Sequence, residues 1–122
     1  MIYDFIIGQK AFVYLTGVDY GYRPIEDRVR ECTIESVGRK YITASFRGGY
    51  KERYEIKGEY CSVSPFSRYT GYLYPSMEKL EEAIKHKEQS QMIRDLIFTK
   101  DVLSKLDQDE LGTVLWILKK HA

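Results

Sequence analysis

Apolar and polar residues alternate along the first half of the chain in short runs separated by glycine. After Gly8, residues 11–16 (AFVYLT) form a run of aromatic and β-branched residues that predicts a first strand. Residues 17–27 (GVDYGYRPIED) hold two glycines and a proline and read as a loop. Residues 28–37 (RVRECTIESV) alternate but mix polar and apolar side chains on both faces, as expected of a long strand bending round a small barrel. Gly38-Arg39-Lys40 then predicts a hairpin turn into residues 41–46 (YITASF). A second turn, Arg47-Gly48-Gly49-Tyr50, leads to residues 52–56, and Gly58 precedes a short run at 60–63. About five such strands predict a small antiparallel SH3-like β-barrel or curved sheet. Residues 64–75 (SPFSRYTGYLYP), with two prolines and a glycine, read as an irregular connector.

The pattern then changes period. Ser76 is suited to cap a helix with Glu78 in its first turn, and Met77, Leu80, Ala83 and Ile84 share one helical face. Residues 86–91 are polar, and Met92, Ile93, Leu96, Ile97 and Phe98 restore an apolar face, which predicts one long or broken helix. Asp107 followed three positions later by Glu110 is a variant capping box and starts a helix over about 108–120. Leu111, Val114, Leu115 and Leu118 read as its core stripe, while Trp116 and Ile117 carry the apolar arc beyond one stripe. A helix apolar over most of its girth needs burial on two sides. That predicts a homo-oligomer with Leu111, Leu115, Trp116 and Ile117 at the interface. The expected fold is α+β, one domain over 1–122, with the barrel in 1–64 and two C-terminal helices in 76–120.

Composition narrows what such a domain can do. A chain of 122 residues can bury a core without disulfides or a structural metal. Nineteen Lys and Arg against eighteen Asp and Glu leave a net charge of +1, so any anion site is a local patch rather than a bulk field. The opening MIYDFIIGQK reads as neither signal peptide nor membrane span, which points to the cytoplasm. Cys32 and Cys61 lack metal or redox spacing and read as small buried hydrophobes.

Catalytic signatures are missing: no phosphate-cradling glycine loop, no nucleophile elbow, no HExxH. His86 and His121 stand in polar surroundings, and Glu78, Glu81 and Glu82 fall where a helix dipole favours acids. Neither catalysis nor a metal or cofactor is expected. What stands out is arginine and tyrosine in the barrel half: Tyr20, Tyr22, Arg23, Arg28, Arg30, Arg39, Arg47, Arg53, Arg68 and Tyr69. Arginine forks clamp phosphates and tyrosine rings stack on bases, so these ten are the candidate ligand-binding residues. Arginines also solvate barrel edges and discourage strand-to-strand aggregation.

Three segments carry a resemblance: Gly8-Gln9-Lys10-Ala11-Phe12-Val13-Tyr14-Leu15, Val37-Gly38-Arg39-Lys40-Tyr41-Ile42, and Leu106-Asp107-Gln108-Asp109-Glu110-Leu111. In these the chain resembles small β-barrel-domain proteins of phages and prophages of Gram-positive bacteria. A barrel with two C-terminal helices is also similar to the anti-Thoeris sponges, which sequester a cyclic ADP-ribose signal without hydrolysing it. That resemblance implies a non-enzymatic anti-defence protein binding a cyclic nucleotide immune signal, and assigns no pocket residue. Two further readings stay open: a protein-binding inhibitor of a host defence effector or nuclease, and a nucleic-acid-binding barrel.

Overall fold

The computed structural model describes residues 3–17, 23–65, 67–99 and 101–122, with residues 98 and 99 by backbone alone. Six strands follow one another round a closed antiparallel barrel: β1 (Lys10–Leu15), β2 (Val29–Val37), β3 (Tyr41–Ser45), β4 (Lys51–Glu55), β5 (Cys61–Ser62) and β6 (Gly71–Tyr74). A single helical turn, α1 (Ile25–Arg28), follows Pro24 and precedes β2. The α+β class is as the pattern predicts, with two corrections. Part of the loop expected over 17–27 is α1, and the connector expected over 64–75 contains a sixth strand.

That sixth strand closes the barrel. β6 pairs with β1 from Phe12↔Tyr74 to Leu15↔Gly71. A Cβ at Gly71 would collide with the carbonyl oxygen of Tyr14, so only glycine lets the two backbones approach. Alternation sets the inner face. Ala11, Val13 and Leu15 of β1 are buried, as are Cys32 and Ile34 of β2 and Ile42 and Ala44 of β3. The mixed faces of β2 have a local cause: a bulge between Ile34 and Ser36 shifts its register against β3, and beyond it the strand is exposed.

Tyrosines fill the interior. Tyr54 and Tyr60 are the largest fully buried side chains. Tyr60 Oη accepts from the Tyr3 amide (2.8 Å), and its ring packs against Tyr3 and Phe5 at 5.3 and 5.2 Å, which plugs the end of the barrel where the chain enters.

The chain divides into two compact units, Met1–Ala83 and Ile84–Ala122. Helix α2 (Met77–Thr99) is one continuous helix. As expected, Ser76 caps it, its Oγ accepting from the Lys79 amide at 3.2 Å. In the second unit a short 3-10 turn (Val102–Lys105) leads to α3 (Gln108–His121). The capping box is complete: Asp107 Oδ1 accepts from the Glu110 amide (2.8 Å), and Glu110 Oε1 accepts from the Asp107 amide (3.1 Å). The expected core stripe is not one. Leu111, Leu115 and Leu118 are all exposed, because α3 has no buried residue. No helix among the described residues is long and apolar enough to cross a membrane.

Candidate functional site at the loop end of the barrel

In an up-and-down barrel successive connections alternate between ends. The β1–β2, β3–β4 and β5–β6 connections therefore share one end, and the β2–β3 and β4–β5 turns share the other. This parity sorts the candidate residues. Arg23, Arg28 and Arg30 belong to the β1–β2 connection or the strand start after it, Arg47 to β3–β4, and Arg68 and Tyr69 to β5–β6. These six share the loop end. Arg39 sits on the β2–β3 turn at the opposite end, so it does not join them. Arg53 lies in mid-β4 and leans toward that opposite end, its guanidinium 5.0 Å from the Tyr41 ring centre. Tyr20 and Tyr22 lie outside the described residues.

A three-ring cluster holds this end together. Phe46, at the end of β3, is buried and stacks on Tyr69 with centroids 3.8 Å apart and planes within 6°. Tyr50, across the β3–β4 turn, meets Tyr69 edge-on at 6.2 Å and 64°. The turn between Phe46 and Tyr50 is tight: the Phe46 amide donates to the Tyr50 carbonyl (2.7 Å) and the Gly49 amide to the Phe46 carbonyl (3.1 Å). Gly48 and Gly49 supply the left-handed φ of +89° and +86° that it requires. Tyr50 is 48% exposed, and the Arg68 guanidinium lies over its ring at 4.8 Å.

The β5–β6 loop that carries Arg68 and Tyr69 is fixed from below. Tyr54 Oη, deep in the barrel, donates to the Tyr69 carbonyl at 2.7 Å. Burial pushes the Tyr54 phenol well above its ordinary range, so it remains a donor. Ser67 Oγ accepts from the Tyr69 amide (3.1 Å), and Thr70 Oγ1 donates to the carbonyls of Ser64 and Ser67. The rings and Arg68 are thus presented by a loop that these hydrogen bonds brace.

Two of the arginines are partly engaged in the fold. Arg28 Nε donates to the Leu15 carbonyl (3.1 Å), and its guanidinium covers the Tyr14 ring at 4.1 Å. Arg30 lies directly across from the buried Val13, on the inward row of β2, and its Nη1 donates to the carbonyls of Asp27 and Val29. A guanidinium has five N–H donors, so both keep donors for an anion.

Phe46 reads in the sequence only as the end of a strand, and Tyr50 as the last residue of the Arg47-Gly48-Gly49-Tyr50 turn. The signal for both is two aromatic residues flanking Arg47-Gly48-Gly49, which a tight hairpin must set side by side.

A groove on the outer wall of the first unit has the opposite character. Phe12, Ile25, Val29 and Met77 form its floor and Glu26, Glu31 and Glu81 line it, enclosing about 500 Å³. Carboxylates there repel phosphate, so the groove is no anion site. Cys32 is buried, and desolvation pushes its thiol up to about 12, leaving it unreactive; Cys61 is only half-buried. Among the described residues no three His, Cys, Asp or Glu gather to hold a metal.

No curated protein and no solved structure matches the chain. A family model does, over residues 1–121, so that barrel and helices fall within one match. By that match the chain belongs to the Phage ProQ C-terminal-like domain family, a family of phage-type small domains.

Proposed function

We propose that this protein is a non-enzymatic binder of a phosphorylated nucleotide ligand, held at the loop end of the barrel. The carrying observation is the exposed Tyr50 ring, braced by Tyr69 and Phe46 and topped by Arg68, at the end that also bears Arg47 and Arg23. A base stacks on Tyr50 while the arginine forks take the phosphates. The spread of these groups over the three connections at this end favours a single strand of nucleic acid laid across it. A net charge of only +1 favours a second reading, a free cyclic nucleotide, because it limits what a long polyanion gains. In that second reading a phage-type protein acts by sequestering an immune signal.

Fluorescence anisotropy with labelled single-stranded RNA and DNA, beside native mass spectrometry with cyclic nucleotides, tests both. Tyr50→Ala and Arg68→Ala should each weaken binding by about 1–3 kcal/mol, while Arg39→Ala, at the far end, should leave it unchanged. Binding of oligonucleotides with a steep salt dependence supports the strand; recovery of an intact cyclic nucleotide supports the signal. Affinity lost equally on Arg39→Ala and Arg68→Ala, or no binding in either arm, rejects the site.

A further inference from the structure

Five of the six apolar residues of α3 are exposed, Leu111 at 40%, Leu115 at 53%, Trp116 at 62%, Ile117 at 47% and Leu118 at 62%, and Val114 is half-buried. So dense an apolar surface on one helix marks an interaction site. The charges on the same helix say which partner fits. Its first turn is acidic, with Asp109 and Glu110 following the Asp107 cap, and its last turn is basic, with Lys119, Lys120 and His121.

A helix with an apolar middle and oppositely charged ends complements a reversed copy of itself. A two-fold axis passing beside Val114 and Leu115 sets Leu111 level with the second copy's Leu118. It also brings each acidic first turn alongside a basic last turn, and it opposes the two helix dipoles favourably. A parallel pair instead places acid beside acid and base beside base.

We infer that α3 is the docking surface for a second copy of this chain, the two helices pairing antiparallel through Leu111, Val114, Leu115 and Leu118. The contact is isologous and closes as a dimer.

Sedimentation equilibrium of the full chain, from nanomolar to high micromolar concentration, reads the association directly. The wild type should dimerise, and Leu118→Glu should weaken the dimer by on the order of thirtyfold or more. Because Leu118 is exposed in the chain, this variant keeps its helix content by circular dichroism. Orientation is read from charge reversal. Asp109→Lys and Lys119→Glu should each weaken the dimer about two- to fivefold at low salt, and the double variant should recover most of the loss. A wild type that stays monomeric throughout, a dimer indifferent to Leu118→Glu, or single reversals without effect would each overturn the proposal.

Discussion

Leu73 and Leu118 are the same residue in opposite circumstances. Leu73, on β6, is fully buried, while Leu118, on α3, is 62% exposed. The contrast holds for their regions. In the barrel the inward rows of β1, β2, β3 and β6 and the rings of Tyr54 and Tyr60 complete one core. In α3 no residue is buried, although six of its fourteen residues are Leu, Val, Ile or Trp. Apolar pattern alone therefore does not say where burial happens: the barrel satisfies its pattern within its own core, and α3 leaves its own exposed.

Truncating the two leucines tests that contrast at its strongest. Leu73→Ala removes fully packed atoms and leaves a cavity beside Val13, its partner across β1 and β6, so it should cost about 2–5 kcal/mol. Leu118→Ala in dilute solution should change stability by no more than about 0.5 kcal/mol. Urea titrations of both variants supply the comparison. Similar losses at the two positions would mean that α3 is buried in solution and that the contrast is wrong.

Much of this division was legible beforehand, and where reading failed the reason is physical. β1 to β4, the Ser76 cap and the Asp107–Glu110 box announce themselves locally, because alternation, glycine turns and capping chemistry act over a few residues. β6 does not. Gly-Tyr-Leu-Tyr between a proline-bearing loop and Pro75 looks irregular until β1 lies beside it, and the need for Gly71 comes from the Tyr14 carbonyl, 57 positions away in the chain. The site shows the same limit. Arg39 and Arg47 both adjoin glycine turns and look equivalent, yet successive hairpins point to opposite ends and of the two only Arg47 lies at the end that carries the ring cluster. The exposure of the α3 stripe was hidden for a third reason: an amphipathic pattern is the same whether its partner is the chain itself or another molecule.

The barrel's buried acids sharpen the comparison from the alkaline side. Desolvation raises the Cys32 thiol from its ordinary 9.0 up to about 12 and the Tyr74 phenol from 10.0 up to about 12, and it raises Tyr54 further still. Each group must stay neutral in the folded barrel but ionises freely once unfolded. Their stabilisation is thus complete below the unfolded pKa and is lost as pH climbs from about 9 toward 12. Cys32 alone should contribute a loss of about 2 kcal/mol by about pH 10.5. Urea midpoints followed by tyrosine near-ultraviolet circular dichroism should fall across this window, and Cys32→Ala should flatten the first part of the fall. A midpoint constant from pH 8 to 11 would show that these groups are not buried as described.

The smallest effect belongs to α3, where local devices must stand in for burial. The Asp107 side chain accepts the Glu110 amide, and the Glu110 side chain returns a bond to the Asp107 amide, so two otherwise unpaired donors at the helix start are satisfied within four residues. Asp107→Ala removes the acceptor and frees the Glu110 amide, which should cost about 1 kcal/mol of helix stability. Asp107→Asn keeps an acceptor and should retain most of it. Trp116, the chain's one tryptophan, lies on this helix with Lys120 over its ring at 5.0 Å, so its fluorescence during thermal melting reports α3 specifically. In a helix held by a deep core a lost cap is partly masked by packing. Here, with every side chain of α3 at least partly exposed, the change should appear undiminished in the tryptophan signal of the dilute chain and shrink as rising concentration favours the paired helix. A cap deletion that is silent at every concentration would place the stability of α3 in burial, and would return the two leucines to the same footing.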